Sequence, residues 1–177
     1  MTRRHCALAI LGIGAAAVIC LLALGYVGGL RINLTPSYPL GIWRIVPLDR
    51  EVAVGDLIII CPPPTTAFTL ARQRGYLRSG LCPGWLSPLI KTVVATQGQR
   101  VEIAGAVSVD DVPLTGSDLR VADAEGRALT PFTGGVVPRG HIFLHSDFAG
   151  SYDSRYFGPV PAAGVLGLAY PVLTIHP

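Results

Sequence analysis

The sequence predicts a mainly β domain carried on one N-terminal transmembrane helix. Three observations lead there. An uncharged run of 25 residues extends from Cys6 to Leu30. After it come short apolar segments separated by Gly and Pro clusters, with little helical periodicity among them. Short strands with tight turns are the pattern of a β domain rather than of a bundle. The chain has 177 residues, half of them hydrophobic and only 14% charged, and the stretch after the apolar run is long enough for one domain with its own core.

The run itself is long enough to cross a hydrocarbon core of ~30 Å with some tilt. Arg3 and Arg4 precede it, and flanking positive charge stays on the cytoplasmic side, a bias that Arg31 weakens slightly. The expected organisation is a cytoplasmic tail (1–5), an anchor (6–30) and an external domain (31–177). A cleaved signal peptide is the rival, with Ala23-Leu24-Gly25 as a candidate cleavage stretch, but its apolar region usually spans only about 7–15 residues.

"INLTPSYPLGIWRI" (32–45) then packs a Thr, a Ser, two prolines and a glycine between Thr35 and Gly41. "GDLIIIC" (55–61) reads as a turn followed by a buried strand. Residues 61–88 form an excursion opened by three prolines, filled by a helix-capable piece (Thr66 to Tyr76) and bracketed by Cys61 and Cys82. Outside the cytoplasm these two cysteines are expected to bridge, closing a loop of about 20 residues worth roughly 3 kcal/mol. A metal site would need more ligands than lie nearby. "LIKTVVATQGQRVEI" (89–103) returns to strand composition, and "VSVDDVPLTG" reads as a hairpin around Asp110-Asp111. A second excursion covers about 104–138, with 115–140 expected as loops and one short helix. "GHIFLHSD" (140–147) is a strand, "FAGSYDSRYFGPVP" a loop, and "GVLGLAYPVLTI" the last strand.

Net charge is +3, but the arginines are scattered without a basic stripe or interleaved aromatics, which argues against nucleic-acid binding. Lys91 is the single lysine. On a buried strand its amine would be shifted toward neutrality and could serve as a general base. Ser37, between Pro36 and Pro39, sits on a rigid turn suited to a preorganised nucleophile. "GSYDSRYFGPV" (150–160) gathers Ser151, Asp153, Ser154 and Arg155, with Asp153 and Arg155 placed to pair. Two other constellations can be drawn: a Ser/His/Asp triad using His141 or His145 with Asp147 or Asp153, and a zinc site from His141, His145 and Asp147. The chain lacks the G-x-S-x-G elbow of the first and the HExxH helix of the second.

Four segments in order carry a resemblance across nearly the whole chain. "TPSYPLGIWRI", "GDLIII", "IKTVVATQGQRVEI" and "GSYDSRYFGPV" resemble the signal peptidase I superfamily of Ser-Lys membrane proteases, and within it the TraF-type peptidases of conjugative transfer. Tyr38 stands where ordinary signal peptidases carry methionine, and His145-Ser146-Asp147 where they carry Gly-Asp-Asn. The resemblance implies a signal-peptidase-like β catalytic domain in which Ser37 is nucleophile and Lys91 general base. It implies that Ser151 orients the lysine amine, that Asp153 and Arg155 support the site, and that Thr35 and the Ser37 N–H form the oxyanion hole. No cofactor and no metal are implied.

The implied location is the bacterial inner membrane, with the N-terminus cytoplasmic and the catalytic domain periplasmic. The implied partners are membrane lipid, the conjugative pilus or type IV secretion machinery, and a pilin or exported precursor with small residues before the scissile bond. Some TraF-type enzymes join the new pilin end to its own N-terminus, so hydrolysis and cyclisation both stay open. A housekeeping type I signal peptidase and a non-catalytic bitopic subunit of a pilus or secretion assembly are the alternative readings.

Overall fold

The computed structural model describes residues 3–175, so Met1 and Thr2 of the expected tail lie outside the described residues. Helix α1 spans Arg3–Val27, carries no acidic residue in its first turn, and is long and apolar enough to cross a membrane. It starts inside the expected tail and stops at Val27 rather than Leu30. The chain turns at Gly28 and Gly29, and Gly29 adopts a positive φ of 83° that L side chains avoid. Its carbonyl accepts from Ile45 N at 2.9 Å. Arg31 closes the junction: one guanidinium nitrogen donates to Tyr26 O at 2.9 Å and the group lies 3.9 Å over the Tyr26 ring. A helix therefore passes into a sheet with almost no linker.

The body is built on two antiparallel sheets. Strand β1 (Leu30–Asn33) pairs with β2 (Leu40–Val46), and the turn that carries Ser37 lies between them. β3 (Leu57–Ile60) follows the "GD" turn, and the Pro-rich excursion carries α2 (Thr66–Gln73) and β4 (Ser79–Cys82). α2 buries Phe68 and Ala71, one residue from each of two successive turns, against the main core. Cys61 and Cys82 are disulfide-bonded with Cα atoms 5.4 Å apart, which staples this excursion at both ends. β5 (Leu89–Thr96) carries Lys91 and pairs with β3. Its Lys91, Val93 and Ala95 alternate inward, as a strand with one buried face requires.

β6 (Arg100–Ile103), β7 (Val107–Val109), β8 (Val112–Pro113) and β9 (Gly135–Val136) form the smaller sheet in the order β8-β7-β6-β9. The hairpin at Asp110-Asp111 puts both residues at positive φ, 47° and 66°, the conformation a two-residue hairpin turn demands. No helix forms in 115–140, where one was expected; apart from β9 the segment is loop with an isolated bridge between Ala122 and Ala128. Its Gly-rich composition offers no apolar stripe for a helix to bury.

β10 (His141–His145) pairs with β5, and the expected loop after it contains a short helix, α3 (Ser154–Phe157), and a two-residue strand, β11 (Val160–Pro161). α3 forms because Asp153 caps it, its carboxylate accepting from Arg155 N at 3.2 Å. β12 (Val165–Ile175) runs between β2 and β3, and Pro171 sits at a register shift in it. The large sheet has the order β1-β2-β12-β3-β5-β10-β11. Gly41 belongs to β2 rather than to the turn: a Cβ there would meet Leu173 O at 2.2 Å, so glycine is needed for β12 to approach.

Candidate active site

Asn33, the last residue of β1, is buried and bonds in both directions to the turn that follows. Its Nδ2 donates to the carbonyls of Thr35, Tyr38 and Pro39 at 2.9, 2.9 and 3.1 Å. Its Oδ1 accepts from Thr35 N at 3.1 Å and from the Thr35 hydroxyl at 2.8 Å. One side chain thus engages three carbonyls and one N–H of the turn, which buried Trp43 also supports by donating to Pro39 O at 2.9 Å. Ser37 lies at the apex, half-buried, and its carbonyl accepts from Ser146 Oγ at 2.7 Å. The Tyr38 hydroxyl meets Thr92 Oγ1 at 2.6 Å, joining the turn to β5.

Lys91 is 2% exposed, and its Nζ donates to Ser151 Oγ at 2.6 Å. Burial lowers its pKa from 10.5 to about 8; the Asp153 carboxylate opposes that shift and the Arg155 guanidinium adds to it. Asp153 and Arg155 are both 0% exposed. Arg155 Nε and Nη2 grip the two Asp153 oxygens at 2.8 and 2.9 Å, a bidentate pair. The remaining Arg155 donors reach Asp118 O at 2.8 Å and Ser151 O at 3.3 Å. Asp153 also accepts from Ser146 N at 3.3 Å. The pair is therefore satisfied on all sides, and it fixes the backbone of the residue that contacts the lysine.

Ser37 and Lys91 line one cavity of about 300 Å³, with Thr35 and Ile90 also in its wall. No hydrogen bond joins Ser37 Oγ to Lys91 Nζ among the described residues; the amine is engaged with Ser151 instead. Of the predicted residues, Thr35, Ser37 and Lys91 meet at this cavity, and Ser151, Asp153 and Arg155 stand behind it. The histidines do not join them. His145 is buried and burial pulls its pKa down, so the ring is neutral; its Nδ1 lies 3.5 Å from Asp147, and it does not line the Ser37 cavity. Its Nε2 has no hydrogen-bond partner among the described residues. His141 occupies the other end of β10, and no three metal-ligating side chains converge among the described residues.

Sequence reasoning missed Asn33 and Ser146. The signal for Asn33 was present: an Asx residue two positions before Thr35-Pro36 is the pattern of a side chain that mimics a turn. Ser146 gave no local signal, because its contact with Ser37 spans 109 residues.

Residues 2–173 match the family described as Signal peptidase, peptidase S26. A probable conjugal transfer protein TraF of Sinorhizobium fredii (strain NBRC 101917 / NGR234) is 59% identical over 161 residues, covering 91% of this chain and 86% of that one. The conjugal transfer protein TraF of Agrobacterium fabrum (strain C58) is 55% identical over 167 residues, 94% and 95% of the two chains. Among solved structures, a signal peptidase I from Enterococcus faecalis V583 aligns with a TM-score of 0.41 at 21% identity, covering 67% of this chain and 97% of that one. The chain belongs to the signal peptidase S26 family of serine peptidases, and within it to the TraF conjugal transfer proteins.

Proposed function

We propose that the chain is a membrane-anchored Ser-Lys endopeptidase that processes a membrane-associated pilin precursor for conjugative transfer. The observation that carries this reading is the lysine. A side chain 2% exposed, with its pKa drawn down to about 8, opens into the cavity that holds Ser37. A merely structural lysine would be expected to reach solvent or a carboxylate.

In this mechanism neutral Lys91 takes the Ser37 hydroxyl proton as Oγ attacks the scissile carbonyl. The oxyanion is held by the Ser37 N–H and the Thr35 hydroxyl. In the free protein that hydroxyl donates to Asn33, so it serves the oxyanion by turning its single proton away from Asn33. Collapse breaks the C–N bond, and protonated Lys91 returns the proton to the leaving amine. Ser151 accepts from the lysine amine and aims it throughout. Water then resolves the ester to a free carboxylate, or the substrate's own N-terminal amine resolves it to a circular product. A periplasmic catalytic domain belongs to this reading; Arg3 and Arg4, which favour a cytoplasmic N-terminus, and the Cys61–Cys82 bridge, which suits an oxidising compartment, support it.

Co-expression with the pilin precursor, followed by mass spectrometry of the product, tests the proposal. Ser37→Ala and Lys91→Ala should each abolish processing. A product one water lighter than the linear fragment means cyclisation, and an equal mass means hydrolysis. Normal processing in both variants would overturn the assignment in favour of a non-catalytic subunit.

A further inference from the structure

The Ser37 cavity is the middle of three. On one side it shares Leu34, Thr35, Arg78, Ser87 and Pro88 with a cavity of about 440 Å³ that reaches Tyr26 of α1 and Arg31. On the other it shares Gly75, Tyr76, Phe148, Gly150 and Tyr152 with a cavity of about 360 Å³. The two outer cavities share no lining residue. The three therefore adjoin in series, from the end of α1, past Ser37 and Lys91, to a distal pocket.

The chemistry of that distal pocket differs from the rest of the groove. Its wall contains three arginines, Arg74, Arg120 and Arg127, against two acids, Asp123 and Glu125. The acids are already committed to one of the arginines: Arg127 bonds Asp123 at 2.6 Å and Glu125 at 2.9 Å. Asp123 also accepts from the Tyr76 hydroxyl and from two backbone N–H groups. Although partial burial opposes it, these bonds hold its carboxyl well below the usual carboxylate range, so it stays an anion satisfied by its own loop. Arg74 and Arg120 have no carboxylate partner among the described residues; the one side-chain hydrogen bond of Arg74 goes to Ala128 O at 3.0 Å. Beside them Tyr152 stacks on Tyr156, ring centroids 5.8 Å apart and planes within 4°, and meets Tyr76 at 4.9 Å. Two uncompensated guanidinium groups at the edge of an aromatic wall suit a carboxylate attached to an extended peptide.

We propose that this pocket binds a substrate carboxylate on the side of the scissile bond away from the membrane, through Arg74 and Arg120. The carboxylate comes from an Asp or Glu side chain a few residues past the bond, or from the substrate's own C-terminus. The inference rests on the endopeptidase reading above. It adds a charge requirement on the distal segment, which a membrane-proximal recognition site alone would not impose.

The test uses the full-length chain in detergent micelles and three fluorogenic peptides with small residues before the scissile bond. One carries a distal Glu and a C-terminal amide. The second carries Gln and a free C-terminus, and the third carries Gln and an amide. The expected result is a kcat/KM roughly tenfold to a hundredfold higher for one carboxylate peptide than for the fully neutral peptide, on the scale of a charge-assisted hydrogen bond. Which peptide gains tells the side-chain source from the terminal one. Arg74→Gln with Arg120→Gln should erase the preference, so that all three peptides are cleaved at similar rates; neither side chain is part of the core, so the variant is expected to fold. Ser37-dependent cleavage of all three at equal rates overturns this proposal alone, as does a preference that survives in the double variant. Cleavage that persists in Ser37→Ala overturns the endopeptidase reading itself.

Discussion

Ser37 rides on a half-buried turn anchored chiefly by hydrogen bonds to one asparagine, whereas Lys91 lies in a strand interior backed by a fully buried ion pair. On the Ser-Lys reading proposed above, the two regions solve different problems. A nucleophile has to be reached by a polypeptide, so its segment cannot be sealed and its rigidity comes from satisfied backbone groups and two prolines. A lysine base has to lose its proton near neutral pH, so its surroundings have to be dry. Dryness in turn obliges Asp153 and Arg155 to neutralise each other completely. The backbone-held half is therefore expected to fail locally, and the buried half globally.

The largest effect tests the buried half. Asp153→Ala leaves Arg155 without a counter-ion in the interior and should cost about 3–5 kcal/mol of stability. Chemical denaturation of the full chain in detergent would measure it; a loss under 1 kcal/mol would mean that water already reaches the pair. Replacing both residues with apolar side chains of similar volume should recover part of the loss.

Lys91→Met sharpens the comparison in the opposite direction. The folded pKa of about 8 lies below the ordinary 10.5, so folding below pH 8 keeps a proton on a buried amine. The substitution should stabilise the protein at pH 7 by about 3 kcal/mol, at 1.36 kcal/mol per pKa unit, while removing activity. Between pH 8 and 10.5 the unfolded chain holds the proton and the folded chain does not, so raising the pH favours the fold there. The gap between the two proteins is thus widest below pH 8 and closes by about 10.5. Wild-type activity needs the neutral amine and should climb with pH to a plateau above about 8. A pH-independent stability gap would contradict the burial argument.

The smallest expected effect falls on the backbone-held half. Asn33→Ala removes the shared partner of Thr35, Tyr38 and Pro39 and should cost about 1–3 kcal/mol. Its mark would be a fall in kcat larger than any rise in KM, read from steady-state kinetics on one peptide. A rise in KM with kcat unchanged would assign Asn33 to substrate binding instead of to positioning Ser37.

Much of this arrangement could be read from the residues in order. β3 and β5 announced themselves as apolar runs after turn residues, and the Asp153/Arg155 pair by close spacing on a polar segment. The disulfide followed from two cysteines bracketing a proline-rich excursion. What escaped were features whose cause lies elsewhere in the chain. α3 is four residues long, too short for any periodicity, and exists because Asp153 caps it. Gly41 looked like part of the turn, but its need for a bare backbone comes from Leu173 on another strand. Ser146 matters through a carbonyl 109 positions away.

The junction of α1 with β1 is two glycines long and is bonded on both sides. Gly28 and Gly29 are pinned between helix and sheet, and Arg31 clamps the last turn of the helix. Held in a bilayer by α1, such a body keeps its groove at a set height above the lipid. That turns the geometry into a ruler. On the endopeptidase reading proposed above, the bond cut would be the one a substrate presents at that altitude, and a few residues inserted after Val27 would move the cut site along the precursor while leaving Ser37 and Lys91 in place.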